Sequence, residues 1–174
     1  MPTTLEQRAS HRPEKPLEPK QVWSIRVRLE IARSKRDLAI FNLAIDSKLR
    51  ACDSVKLRLD DICSGANVRH RATIVQKKTG RPVQFEITEQ SRSSVEAWLP
   101  MLRTTGSRYL FPSRLHASPH ISTRQYARLV HRWVESIGLE SGSLWNAFDA
   151  AYEGCADLPQ DWEPACRANL ARGL

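Results

Sequence analysis

Two basic stretches carry residue types at spacings from which chemistry on an anion could be built. In IDSKLRACDSVKLRLDDI, residues 45–62, Arg50 stands where a loop meets a short amphipathic helix, and Asp53 follows three residues on. A guanidinium at a helix start presents a planar fork to a phosphate, and the free N–H groups of the helix add partial positive charge. Asp53 is spaced to hold that guanidinium. The same spacing also suits a solvated Arg50–Asp53 surface pair, which contributes little. The second stretch, VQKKTGRPV, sets Lys77, Lys78 and Arg81 around a single Gly turn. A cationic hairpin tip discourages edge-to-edge pairing. It can equally carry an ammonium into a DNA groove as a general acid, and the density of charge around this turn favours DNA contact.

These residues need elements to hold them. Residues 1–18 are polar, Pro-containing and without period, and are expected to be a disordered lead. From Pro19 the pattern is helical, with Val22, Ile25, Leu29 and Ala32 on one face. Leu38, Phe41, Leu43 and Ile45 predict a second helix, capped by Ser34 with Asp37 three residues on. A short loop and a short helix carry Arg50. RATIVQ and PVQFEI alternate apolar and polar residues on either side of KKTGR, which predicts a β-hairpin. Thr88 is expected to cap a helix running to about Leu102, and Thr123 opens TRQYARLVHRWVESIGL, whose Tyr126, Leu129, Val130, Trp133 and Ile137 form one stripe. The class predicted is α+β and mostly helical, with a small antiparallel hairpin or three-stranded sheet and no second domain.

Charge points the same way as the two stretches. A net charge of +8 and a pI near 9.7 suit a polyanionic partner, because each cation set on a phosphate releases a condensed counterion; a solvated basic surface is the plainer alternative. No stretch has the apolar length of a membrane span, and the N-terminus lacks a signal-peptide core. Cys52, Cys63, Cys155 and Cys166 show no CxxC spacing and no paired histidines, so no metal site is expected. Cys52 and Cys63 read as buried free thiols, which suits a reducing cytoplasm.

Together the two stretches resemble a known family. LAIDSKLRACDSVKLRLDDI is similar to the first catalytic box of the phage-integrase family of tyrosine recombinases, of the form LxTGLRxSELxxLRxxDI. IVQKKTGRPVQFEIT looks like that family's catalytic-lysine hairpin, and RYLFPSRLHASPHISTRQYARLVHRWVESIGL resembles the approach to its second box. The likeness runs over about residues 20–140, in order, with Asp53 where the family usually has Glu. It implies that residues 19–140 are the N-terminal part of an integrase-like catalytic domain. It also implies chemistry in which a tyrosine attacks a DNA phosphate, making a 3′-phosphotyrosine. Arg50 would be the first clamp arginine, Lys78 the general acid on the leaving 5′-oxygen, and Asp53 the carboxylate orienting the cluster. Lys77, Arg81 and Arg124 would be DNA contacts. The implied partner is double-stranded DNA, with no cofactor. Intact relatives are expected to assemble as multimers on DNA, and this chain to be monomeric.

The family next requires His-x-x-Arg, Gly-His or Gly-Trp, and a nucleophilic Tyr. After Leu139 there is no His, and neither Arg167 nor Arg172 has a His three residues before it. Of the tyrosines, Tyr109 reads as core, Tyr126 belongs to the helical stripe, and Tyr152 comes too soon. Residues 141–174 also break composition, holding two of the 27 Lys+Arg but five of the 19 Asp+Glu. Read one base later, the Trp145–Asn146 and Trp162–Glu163 codons each force glycine. One permitted reading of residues 144–173 is YGTHSMRRTKVAQIYRKTGNLRAVQILLG, whose THSMRRT resembles the missing box. The tail is therefore expected to be frameshift-derived and poorly structured, and the chain a truncated, inactive recombinase domain that still binds DNA. Exposure of the Tyr126–Ile137 stripe is an expected consequence. A non-enzymatic DNA-binding regulatory module and a recombinase completed in trans are the alternatives.

Overall fold

The computed structural model describes residues 17–114 and 118–139. Six helices and two small hairpins follow in the order α1 (Pro19–Ile31), α2 (Lys35–Ser47), α3 (Ala51–Ser54), α4 (Leu59–Ile62), β1 (Cys63–Ser64), β2 (Asn67–Val68), β3 (Arg71–Val75), β4 (Pro82–Glu86), α5 (Glu89–Arg103) and α6 (Thr123–Ser136). The α+β, mostly helical class follows from this order. Two antiparallel sheets of two strands each form among the described residues, rather than one sheet of three.

Helix α2 is the axle of the fold. Its run Ala39–Ile45 is buried along nearly its whole circumference, because α1, α5, α6 and the β3–β4 hairpin close around it. Phe41 is fully buried and meets Trp133 of α6 edge-on, with ring centroids 5.4 Å apart. Ser34 stands at the N-cap of α2 as expected but makes no capping hydrogen bond, and Asp37 pairs with Arg36 instead. Helix α1 buries Val22, Trp23, Ile25 and Leu29; Ala32 lies past its end and is exposed, so the apolar face is one turn shorter than the spacing suggested. Leu17 joins the core and Glu18 is the N-cap of α1, so the last two residues of the expected disordered lead belong to the fold. The rest of that lead, and the tail from residue 140, lie outside the described residues.

Thr88 caps α5 through its side chain, which accepts from the Ser91 N–H, and α5 ends one residue beyond Leu102. Asp46 Oδ2 accepts from both Thr88 N (2.8 Å) and Thr88 Oγ1 (2.9 Å), which ties the end of α2 to the start of α5. The β3–β4 hairpin pairs in the register Arg71↔Glu86 to Val75↔Pro82, with Ala72, Ile74 and Phe85 turned into the core. Helix α6 docks against α1 and α3, and Tyr126, Leu129, Val130, Trp133 and Val134 are all buried. The stripe expected to be exposed is therefore covered within the described fold, because α1, α2 and α3 supply the opposing surface.

Candidate anion site at Arg50 and the β3–β4 hairpin

The chain reaches this site through a sharp stop. Helix α2 ends at Lys48, whose φ of 52° is left-handed, and Leu49 drops into the core. Arg50 follows in extended conformation as the N-cap of α3, its carbonyl accepting from Asp53 N and Ser54 N, both at 2.9 Å. Helix α3 is a single turn of four residues, so the dipole contribution expected for Arg50 is small. After α3 the chain does not continue as one short helix. Lys56 closes a turn and Arg58 is extended, with the Leu57 carbonyl accepting from Leu110 N at 2.8 Å and Leu59 N donating to the Arg108 carbonyl at 2.9 Å. This pairing fixes α3 against the segment after α5.

Asp53 is buried, at 5% exposure, and its partner is not the one the sequence suggested. Oδ1 accepts from the backbone N–H of Lys77 at 3.1 Å, twenty-four residues away at the foot of the β3–β4 turn. Oδ2 is buried without a hydrogen-bond partner, and so is Arg50 Nη1. Asp53 thus anchors the hairpin to α3 rather than forming an ion pair with Arg50. The half-buried guanidinium keeps a donor unspent in a place where water cannot serve it. Leaving such a donor unmade costs about 1–3 kcal/mol, more for a charged group, and a ligand larger than water meets it only if the half-buried guanidinium turns outward.

The hairpin turn is built from its own side chains. Gly80 N donates to the Gln76 carbonyl at 2.9 Å, Gln76 N to the Arg81 carbonyl at 3.0 Å, and Thr79 Oγ1 to Gln76 Oε1 at 3.0 Å. Gly80 has φ 64°, the left-handed conformation that closes the turn cheaply only in glycine. Lys78 and Arg81 are exposed on this loop. Lys77 is not part of a uniform cationic tip. Its ammonium lies close to that of Lys56, and this like-charged neighbour, with some burial, holds the Lys56 pKa below the ordinary lysine range. Lys56 N in turn donates to the Asp53 carbonyl at 3.0 Å. The structure therefore gathers Arg50, Asp53, Lys56 and Lys77 around one turn, with Lys78 the next residue out. Arg124 lies elsewhere, exposed in the first turn of α6, and shares no hydrogen bond or ion pair with them among the described residues.

Cys63 is buried, and burial pushes its thiol pKa up; Cys52 is only half-buried. Tyr109 is half-buried rather than core, tilted against His120 at 5.0 Å. No group of three His, Cys, Asp or Glu side chains able to hold a metal occurs among the described residues. The Lys56–Lys77 contact was missed in the sequence because it depends on the hairpin folding back onto α3.

Asp53→Ala tests the anchoring directly. It removes the acceptor of the Lys77 N–H and is expected to cost about 1.5–3 kcal/mol, as for hydrogen bonds to charged groups. Amide exchange at Lys77 should accelerate at least tenfold beyond the change at β3 residues; equal acceleration at both would show only general loss of stability.

Comparison with known proteins converges on one description. The sequence model of the phage integrase family matches residues 15–149. Among curated proteins none matches the chain in sequence. A crystal structure of XerA recombinase superposes with a TM-score of 0.66 at 14% identity, covering 86% of this chain and 50% of that one. A crystal structure of lambda integrase bound to DNA gives a TM-score of 0.54 at 17% identity, covering 79% of this chain and 50% of that one. The chain spans half the length of each of these structures. No described helix is long and apolar enough to cross a membrane.

Proposed function

Because the chain belongs to the phage integrase family, we propose that it is the first part of a tyrosine recombinase catalytic domain from a mobile element, able to hold double-stranded DNA but lacking strand-cleaving chemistry. The observation that carries this reading is the buried, unpartnered Nη1 of Arg50 beside the Asp53-anchored hairpin. A phosphodiester oxygen would meet the exposed part of this guanidinium first and reach the unspent donor as the side chain turns outward. In the complete reaction the attacking tyrosine oxygen forms a bond to phosphorus as the bond to the 5′-oxygen breaks, and negative charge grows on the non-bridging oxygens. Arg50 would bind that charge, and Lys78, exposed one residue from the anchor, would give its proton to the departing 5′-oxygen. Lys77, Arg81 and Arg124 would add backbone contacts.

His-x-x-Arg and a suitably placed tyrosine are absent from residues 141–174, and we ascribe this to a shifted reading frame. The nucleotide sequence beyond codon 140 decides that point: a next frame without a Gly-His box and a terminal tyrosine codon would sink it. The chain would act in the cytoplasm, as a monomer.

DNA binding is tested by titrating a short duplex with protein across a salt series. Each phosphate neutralised adds about 0.9 to the slope of log affinity against log salt, so Arg50→Ala with Lys78→Ala should lower the slope by roughly two. Affinity should fall at least tenfold at low salt. Salt-independent binding, or an unchanged double variant, would refute the assignment.

A further inference from the structure

Away from the Arg50 turn, three segments distant in sequence bring arginines together around a groove. One hollow of about 590 Å³ is lined by Arg36, Arg114, Arg128 and Arg132; a second of about 1020 Å³ shares Arg36, Arg114 and Arg132 and adds Arg108. The shared residues make the two hollows parts of one groove between the start of α2, the segment after α5, and α6. Asp37 is the single acidic side chain on either wall among the described residues, and it is spent on Arg36, whose Nε and Nη2 both donate to Asp37 Oδ1. Arg108, Arg114, Arg128 and Arg132 form no ion pair or side-chain hydrogen bond among the described residues, and all four are exposed. Like charges held across a groove repel, and no acidic side chain among the described residues pairs with these four.

Helix α6 continues the pattern. Arg124, Arg128 and Arg132 recur every four residues, which sets them along one side of the helix over about 12 Å. A ladder of planar, always-charged forks suits a linear polyanion better than a single small anion, and arginine binds phosphate oxygens two at a time. The same helix packs against α3, the turn that carries Arg50.

We propose that this groove is a second anchorage for the nucleic-acid backbone, holding several phosphates of one strand apart from the Arg50 turn. The proposal rests on the DNA-binding reading above. It assigns Arg114, Arg128 and Arg132 to phosphate contacts, with Arg36 held in place by Asp37.

The test uses the full chain, a 30-base-pair duplex of arbitrary sequence, and the triple variant Arg114→Gln, Arg128→Gln, Arg132→Gln. A control triple, Lys20→Gln, Arg28→Gln, Arg103→Gln, removes the same charge from exposed positions outside the groove. The groove variant is expected to lose at least tenfold in affinity and roughly two to three units of salt slope, with unchanged thermal unfolding, while the control loses less than threefold. Equal losses in both triples would make the effect one of net charge and overturn the groove. A groove variant that binds like the parent overturns this proposal and leaves the DNA reading standing. A parent chain that binds no duplex at any salt overturns the DNA reading first. Polyglutamate of matched charge displacing the duplex as well as a second duplex does would mark an acidic-polypeptide site, and would also overturn the proposal.

Discussion

Incubated with a nicked suicide substrate, which traps a phosphotyrosine once formed, this chain is expected to give no covalent DNA adduct. The expectation rests on what a phosphoryl-transfer site needs. On the proposed reading Arg50 would neutralise one developing charge, but one lost oxyanion donor alone costs about 10²–10³ in rate. The nucleophile is missing as well on that reading, and then no intermediate forms at all. Tyr126 is buried at 3% exposure within the α6 stripe, and Tyr109 is held half-buried by its ring contact with His120 and the backbone bridge to Arg58. Neither presents a hydroxyl to a phosphate on Arg50 without dismantling these contacts. An adduct from the chain alone, mapped to any tyrosine, would end the inactive reading. An adduct appearing only when a second recombinase is added would support completion in trans. The companion experiment expresses the gene with the frame shifted by one base after codon 140. The change from no adduct to a measurable one is then all-or-none, provided that frame carries the tyrosine.

How much of this was legible depends on which contacts are local. Helices α2, α5 and α6 and the β3–β4 hairpin were legible because their apolar periods of 3.6 and 2 survive in the fold. The run from Val55 to Leu59 misled for an identifiable reason. Its apolar residues fall at every second position, which is the period of an extended strand, and the segment does pair with residues 108–110. Asp53 was recognised as part of the Arg50 group, but its partner was not. That bond joins residues 24 apart, and no spacing rule within one element reports it. The basic groove divides similarly. Arg124, Arg128 and Arg132 stand four apart in the sequence, whereas Arg36 and Arg114 come to them only through tertiary packing. The candidate site is thus half local motif and half tertiary contact, and only the first half could be read from the sequence.

Trp133→Ala is expected to be the most destabilising single substitution considered, because it removes the contact on which α6 is mounted. Trp133 is 4% exposed and meets Phe41 of α2 edge-on at 5.4 Å and Tyr126 of its own helix at 6.4 Å. Removing a buried tryptophan costs about 3–5 kcal/mol, set against a total of about 5–15 kcal/mol for a domain. The thermal midpoint should therefore fall by roughly 10 °C or more. Trp133→Phe keeps an aromatic ring against Phe41 and should recover at least half of the loss. A fall of less than about 1 kcal/mol for the alanine variant would mean that α6 is not seated on α2 as described. The consequence reaches DNA as well. If α6 carries the Arg128 and Arg132 side of the groove, then at a temperature where the alanine variant is still folded its salt slope should lie below that of the parent. The phenylalanine variant should restore the slope along with the stability. Stability lost with an unchanged slope would place the DNA contacts on other elements, and would separate the role of α6 in the core from any role in binding.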